Sequence, residues 1–220
     1  MSAAPLHLAG ERLMLDPAGV LYWPARRLLA VADLHLEKGS SFARAGSLLP
    51  PWDTRETLDR LALAVRRYRP AVLVALGDSF HDTEGARRLG AAEAERLHAL
   101  ARALRLVWVR GNHDPAPPAG LAGEAVAEFA EGNLVFRHEA SARAGAGEIS
   151  GHFHPKARVP ARAADISRPC FVADARRLLL PAFGAYTGGL DVRDAAIARL
   201  FPRGGRAFLL GRERLFSFPL

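Results

Sequence analysis

The stretch Leu28-Leu-Ala-Val-Ala-Asp-Leu-His35 decides the fold. Its five apolar residues predict a buried β-strand. Asp33 and His35 come directly after this run, so we expect them at the carboxyl end of the strand, where open α/β sheets bind their ligands. A carboxylate and an imidazole held together in this way form half of a metal site.

Two later apolar runs, Ala71–Leu76 and Leu106–Val109, repeat the pattern of a buried strand that ends in polar residues. Apolar residues at helical spacing predict helices before each of them, from Asp53 to Tyr68 and from about Glu84 to Leu104. Asp53 has the spacing of an N-cap in a capping box. Strands that alternate with helices predict a layered α/β fold with crossover connections.

Short strands and frequent turns are predicted on both sides of this unit. The predicted strands are 6–8, 12–15, 20–23 and 27–32 before it, and 133–136, 148–150, 169–172, 177–180, 195–200, 206–210 and 214–218 after it. A loop is predicted at 39–51, one further helix at 123–129, and mobile loops at 115–118 and 141–147. The later strands should form a second sheet. Because no repeat or low-complexity linker interrupts the sequence, we expect one domain over residues 1–220.

Polar residues suited to metal binding follow four of the predicted strands. They are Asp33, His35, Asp78, Asn112, His113, Asp114, His138, His152 and His154. Carboxylates, imidazoles and an amide oxygen suit Mn²⁺, Fe, Zn²⁺ or Mg²⁺, and the lack of a thiolate cluster argues against a structural zinc. Two ions that share one bridging carboxylate need about seven protein ligands, and the set is large enough to supply them.

Composition limits the classes of protein that the sequence can belong to. Half of the 220 residues are hydrophobic, no apolar run is long enough to span a bilayer, and the start has no secretory signal. The single cysteine, Cys170, cannot form an internal disulfide, which fits a cytoplasmic location. The formal net charge is +7 and comes almost entirely from arginine. This charge fits a polyanion such as nucleic acid, but coding bias towards arginine explains it equally well.

The motifs together resemble the calcineurin-like metallophosphoesterase superfamily. They are Asp33-x-His35, Gly77-Asp78, Gly111-Asn-His-Asp114, His138 and Gly151-His-x-His154. Other segments resemble the subgroup of bacterial ligase-associated DNA damage response endonucleases. They are Ala32-Asp-Leu-His-Leu36, Lys38-Gly-Ser-Ser-Phe-Ala43, Gly77-Asp-Ser-Phe-His-Asp82, Ile149-Ser-Gly-His-Phe-His-Pro-Lys156 and Pro181-Ala-Phe-Gly-Ala-Tyr-Thr-Gly-Gly189. The resemblance implies a four-layer αββα sandwich, in which two mixed β-sheets lie face to face with helices outside.

The resemblance also implies a role for each site residue. Asp33, His35, Asp78 and His154 would hold one ion, and Asp78, Asn112, His138 and His152 a second. The ions are most simply Mn²⁺, with Fe, Zn²⁺ or Mg²⁺ as alternatives. His113 would be the general acid, and Asp114 would orient its imidazole.

Two further residues are candidates for contact with substrate. His81, three residues past Asp78, either contacts the substrate phosphate or caps a turn beside Asp82. Arg110 either binds phosphate or is an ordinary surface arginine.

The expected activity is metal-dependent phosphodiester hydrolysis by a phosphodiesterase or endonuclease acting on DNA or RNA. The resemblance implies a role in DNA repair, with a DNA ligase, helicase or exonuclease as partner and no membrane association. Three alternatives stay open. They are a phosphomonoesterase, a hydrolase of small nucleotides or cyclic diesters, and a metal-bound scaffold without activity.

Overall fold

The computed structural model describes residues 2–116, 118–142, 145–160 and 165–220. Within them the chain forms two β-sheets that pack face to face. The first sheet contains, in spatial order, β1 (Ala4–Leu8), β2 (Glu11–Leu15), β3 (Leu21–Trp23), β4 (Leu28–Ala32), β5 (Val72–Leu76), β6 (Arg105–Val109) and β7 (Glu124–Val126). Strands β1 to β4 pair antiparallel and β4 to β7 pair parallel, so the sheet is mixed.

The second sheet is also mixed and comes from the later part of the chain. It contains, in spatial order, β15 (Leu215–Pro219), β14 (Arg206–Leu210), β12 (Ile166–Ala173), β13 (Arg177–Leu179), β10 (Glu148–Ser150), β9 (Leu134–Arg137) and β8 (Glu128–Glu131), with β11 (Lys156–Val159) paired to β12. Strand β10 pairs parallel with both β9 and β13. The carboxyl ends of β9 and β10 therefore lie at one edge of this sheet.

The helices cover the outer faces of the two sheets. They are α1 (Lys38–Arg44), α2 (Asp53–Tyr68), α3 (Gly85–Arg88), α4 (Ala91–Ala103) and α5 (Ala195–Ala198). The resulting order of helices, sheet, sheet and helix confirms the predicted four-layer sandwich, with the fourth layer reduced to α5 and its flanking loops. None of the helices among the described residues is both long and apolar enough to cross a bilayer.

The residues of β4 show how the sequence produces these layers. All five are buried, which confirms the prediction of an interior strand. Because side chains alternate across a strand, Leu28, Ala30 and Ala32 pack between the two sheets. Leu29 and Val31 point the other way and pack under α2 and α4. Strand β12 divides its side chains in the same manner, with Phe171 between the sheets and Val172 beneath α5.

Two predictions about the early helices were wrong. The segment predicted as a helix from Glu84 to Leu104 is interrupted at Gly90, which is extended and separates α3 from α4. Glycine has a low helix propensity, and this break follows from it. The predicted loop 39–51 instead contains most of α1. Asp53 is not an N-cap, because its carboxylate accepts a hydrogen bond from the Gly39 amide in α1 and Trp52 caps α2.

Two later elements were also assigned to the wrong type. Residues 123–129, predicted as a helix, form β7 and the start of β8, since β7 completes the first sheet by pairing with β6. Residues 195–200, predicted as a strand, contain the one-turn helix α5. The Asp194 carboxylate accepts a hydrogen bond from the Ala196 amide, and this cap favours the helix. The two predicted mobile loops, 115–118 and 141–147, each include residues that lie outside the described part.

Candidate metal centre

The candidate site lies where the carboxyl ends of strands from both sheets meet. Strands β4, β5 and β6 are parallel, so the residues that follow them share one edge of the first sheet. The second sheet is joined to this edge beside Asp33, where the Phe183 amide donates a hydrogen bond to the Ala32 carbonyl. This junction brings the loops after β9 and β10 over the loop after β4.

The first cluster of side chains contains Asp33, His35 and His154. The Nε2 atoms of His35 and His154 are 3.3 Å apart, and Nε2 of His154 is 3.6 Å from Oδ1 of Asp33. Asp33 is fully buried, and its carboxylate also accepts a hydrogen bond from the His152 amide. Residues 119 positions apart in the sequence thus point their donor atoms at a common centre.

The second cluster contains Asp78, His138 and His152, with Asn112 beside them. Nε2 of His138 lies 3.0 Å from Nδ1 of His152 and 2.9 Å from Oδ1 of Asn112. The same nitrogen is 3.4 Å from Oδ2 of Asp78. All four side chains therefore converge.

Asp78 connects the two clusters. Its Oδ2 atom is 3.9 Å from Nε2 of His35 in the first cluster and 3.4 Å from Nε2 of His138 in the second. Its Oδ1 atom accepts a hydrogen bond from the His113 amide, which fixes the orientation of the carboxylate. One oxygen of Asp78 thus faces both clusters.

The backbone at these positions is unusual for residues with side chains. Five of the site residues have φ in the left-handed region: Asp33 (54°), His35 (43°), Asp78 (44°), His152 (72°) and His154 (46°). Such values are uncommon outside glycine and cluster at functional sites, where surrounding structure maintains the strain.

Glycine at position 111 permits the close approach of two of these loops. A Cβ atom added there would lie 2.1 Å from Oδ1 of Asp78 and 2.2 Å from its backbone nitrogen. The loop that carries Asn112 can therefore lie against the loop that carries Asp78 only because residue 111 has no side chain.

The residues present fit a pair of divalent cations. The carboxylates of Asp33 and Asp78 are buried, and within the described residues their only ion-pair neighbours are histidines. Buried anions without lysine or arginine require another positive charge. Burial lowers the pKa of His35 to about 2 and also lowers the pKa of His152, so both rings are neutral and can coordinate metal.

His113 lies at the open side of the centre. Its Nδ1 is 2.7 Å from the His81 carbonyl, and a proton on Nδ1 makes that contact a hydrogen bond. Nε2 then faces the centre, 4.0 Å from Oδ2 of Asp78, and the side chain is 40% exposed. The His81 ring stacks on the His113 ring, and its Nδ1 is 3.4 Å from Nδ1 of His35.

The structure gives Asp114 different partners from the one predicted. Its carboxylate accepts hydrogen bonds from the backbone amides of Ser79, Phe80 and Gly111 rather than from the His113 ring. Burial raises the pKa of this carboxyl to about 6. The His81 carbonyl therefore orients His113, and the Asp114 side chain joins the Asp78 and Asn112 loops.

Arg110 is not brought into the cluster. It is exposed, its amide donates to the Val126 carbonyl, and its guanidinium has no hydrogen bond or ion pair within the described residues.

Sequence reasoning missed Arg88, which binds the Asp82 carboxylate through two nitrogens at 2.7 and 2.9 Å and donates to Ser40 Oγ. This pair ties the loop that carries His81 to α1. No spacing in the sequence pointed to it.

Comparison with known proteins agrees with the fold. The family profile of calcineurin-like phosphoesterases matches residues 26–170. The structure of the nuclease MPE from Pseudomonas putida superposes with a TM-score of 0.76 and 31% sequence identity, covering 98% of this chain and 100% of that one. The phosphoesterase YfcE from E. coli matches with a TM-score of 0.43 and 13% identity, covering 88% and 97%. A comparison with curated proteins gave no match.

The chain therefore belongs to the calcineurin-like phosphoesterase family. It is a phosphate ester hydrolase, and its clustered histidines and aspartates form a site for divalent metal. The resemblance found in the sequence is thereby confirmed.

Proposed function

We propose that the protein is a phosphodiesterase or nuclease that uses two divalent ions. The observation that carries this proposal is the position of Asp78, whose Oδ2 faces His35 on one side and His138 on the other. A carboxylate between two ligand sets is the arrangement that a dinuclear centre requires.

Seven side chains would hold the two ions. The first ion would be bound by Asp33, His35, Asp78 and His154, and the second by Asp78, Asn112, His138 and His152. When bound, the ions would supply positive charge to stabilise the phosphate and a nucleophilic water of lowered pKa. We propose Mn²⁺ as the metal on the basis of the resemblance, since the nitrogen and oxygen donors themselves also accept Fe, Zn²⁺ or Mg²⁺.

His113 would protonate the departing oxygen of the substrate. Its Nδ1 is held by the His81 carbonyl, so a proton carried on Nε2 points toward the space above Asp78. Expulsion of an alkoxide is slow without a proton donor, and a positioned general acid contributes about 10²–10⁴-fold. The exposed edge of the ring can regain its proton from solvent between turnovers.

Two neighbouring residues would support this chemistry. Asp114 would hold the loop that presents Asn112 and His113, through its three amide contacts. His81 would contact a non-bridging oxygen of the substrate phosphate, because its ring is stacked against His113 at the open side of the site. Arg110 is exposed beside the Asn112 loop, and we keep it as a candidate phosphate ligand.

We infer a nucleic-acid substrate, DNA or RNA, and a role in DNA repair with a DNA ligase, helicase or exonuclease as partner. The nuclease from Pseudomonas putida, which matches over its whole length, supports the substrate. The sequence segments shared with the ligase-associated endonucleases support the role in repair. The same end-to-end match supports a single catalytic domain over residues 1–220.

Turnover of two chromogenic esters would test the proposed function. Metal-free protein supplied with Mn²⁺ should hydrolyse bis-para-nitrophenyl phosphate, a diester, faster than para-nitrophenyl phosphate, a monoester. Asp78→Ala should abolish both activities. The matched control is Asp59→Ala, which removes an exposed carboxylate of α2 that pairs with Arg96. Equal activity in the Asp78 variant, or a preference for the monoester, would reject the proposal.

A further inference from the structure

The excess positive charge of the protein lies entirely in the last part of the chain. Residues 1–139 contain 17 basic and 17 acidic residues, whereas residues 140–220 contain 13 basic and six acidic residues. The whole formal net charge of +7 therefore belongs to the second segment. Arginine bias in coding would not by itself confine the excess to one region. A basic segment of this kind favours contact with a polyanion.

This segment lines a cavity of about 950 Å³ beside the apolar cluster that covers the outer face of the second sheet. The charged residues of its wall are Arg176, Arg177, Arg199, Arg203, Glu139 and Asp174. At one end the wall contains Glu139 and Phe153. These are chain neighbours of the proposed metal ligands His138, His152 and His154, so part of the wall lies one residue along the chain from the metal centre.

Arg199 and Arg203 are available to a ligand. Both are exposed, and neither guanidinium has a hydrogen bond or an ion pair within the part of the chain that the structure describes. Several arginines of the first segment are instead paired with carboxylates, as Arg105 is with Glu124 at 2.6 Å. The acidic groups of the wall offset the arginines only in part, because the wall contains two carboxylates, those of Glu139 and Asp174, and four arginines.

The backbone that carries the two arginines is anchored. Leu200 and Phe201, which lie between them, are buried in the apolar cluster on the outer face of the sheet. The amide of Phe201 donates to the Ala198 carbonyl, and the amide of Gly204 donates to the Phe201 carbonyl. The two guanidinium groups therefore extend from fixed positions in the wall. This arrangement suits a ligand whose anionic groups are regularly spaced, so that each guanidinium contacts one of them.

We propose that this arginine-lined cavity binds phosphates of a polynucleotide strand whose scissile phosphodiester lies in the metal centre. Arg199 and Arg203 would each contact one backbone phosphate away from the cleaved bond. Contacts of this kind position a strand without reading its sequence. The inference rests on the proposed phosphodiesterase function and adds a basis for preferring polynucleotides to small diesters.

The test uses the double variant Arg199→Gln/Arg203→Gln in the metal-loaded protein. The control Arg12→Gln/Arg66→Gln removes the same charge from two exposed arginines at the end of the first sheet away from the site. Fluorescence anisotropy measures binding of a labelled single-stranded phosphorothioate oligonucleotide, in DNA and RNA forms. This backbone keeps its charge and resists hydrolysis. Turnover of bis-para-nitrophenyl phosphate is measured in parallel.

The double variant should bind both oligonucleotides about tenfold more weakly than the control variant. Its slope of log K against log salt should also be smaller in magnitude by about 1.4, because each lost phosphate contact on a single strand contributes about 0.7. Turnover of the small diester should stay within about twofold of the control variant, because that substrate has no second phosphate. Inorganic phosphate should displace the oligonucleotide far less well than unlabelled strand does.

Equal affinity and equal salt slope in the two double variants would overturn the inference. So would a parallel loss of small-diester turnover, which would place the arginines in the metal centre, or equal competition by inorganic phosphate, which would indicate a single-anion site. Failure of the wild type to hydrolyse the small diester would instead reject the proposed function, and the binding result would still decide the role of the cavity.

Discussion

Strand β4 and the residues that follow it differ in what holds them in place. The strand is apolar, extended and fully buried, and it pairs in register with β3 and β5. Asp33 and His35, one and three positions later, have left-handed backbone and buried polar side chains whose neighbours are other site residues. The strand is held by packing and by pairing with its neighbours, whereas the loop carries buried carboxylates whose charge bound cations would balance. Stability and function therefore depend on different residues, although the two are adjacent in sequence.

The largest effect should come from removing the residue shared by both clusters. Asp78→Ala should lower kcat/KM for a diester by about 10³-fold or more, because metal ions contribute several kcal/mol to transition-state stabilisation. The free energy of unfolding without metal should fall little or rise, since a buried anion is removed. Steady-state kinetics and urea unfolding measure the two quantities. A variant that loses stability but keeps activity would show that Asp78 serves stability rather than function.

The core should show the opposite behaviour. Phe171→Ala removes a fully buried ring between the sheets and should lower the free energy of unfolding by about 3–5 kcal/mol. The folded fraction should keep its metal content and its kcat, since Phe171 is not part of the site. Chemical denaturation together with elemental analysis of the folded protein checks this. Loss of metal in a variant that remains folded would show that the core and the site are coupled.

Metal removal should destabilise the whole protein. A ligand present at 100 times its Kd stabilises the folded state by about 2.7 kcal/mol, which corresponds to about 5–10 °C in Tm for a chain of this size. Chelation of the metal-loaded protein should therefore lower Tm by that amount, and calorimetry would measure it. The shift should be absent in Asp78→Ala. A shift of equal size in that variant would locate the stabilising metal elsewhere.

Gly111→Ala should weaken metal binding and have little effect on the packing of the core. The added methyl would collide with Asp78, so metal affinity should fall about 10–100-fold, the usual effect of disturbing groups that orient ligands. Titration with Mn²⁺ followed by calorimetry measures it. Gly188→Ala is the matched control, since a Cβ at that position meets no atom within 4 Å. Equal affinities in the two variants would contradict the proposed close packing.

The smallest expected effect is the reactivity of the Cys170 thiol in the core. The thiol is buried, and burial raises its pKa to about 12, so the reactive thiolate is scarce near neutral pH. The native protein should react with a thiol reagent only as fast as it unfolds, and denaturant should release full reactivity. Rapid labelling of native protein would show that the core beneath α5 opens readily.

The sequence predicted the parts of this molecule in which one physical effect dominates. Strands β4, β5 and β6 are continuous apolar runs, and the polar residues that follow them were recognised as a site because parallel strands share an edge. The helix predicted at 123–129 failed because pairing with β6 outweighed helical spacing. The partners of Asp114 were also missed, since two of its three amide contacts come from a loop about 35 residues away. The arginine cavity became visible only when distant segments were brought together.

Seven side chains would hold two neighbouring ions in the proposed centre. Anomalous X-ray diffraction from crystals of the Mn²⁺-loaded protein would locate these ions. Two peaks about 3.5–4 Å apart are expected, one among Asp33, His35 and His154 and the other among Asn112, His138 and His152, with Asp78 bound to both. A single peak, or peaks that lie outside these residues, would contradict this proposal.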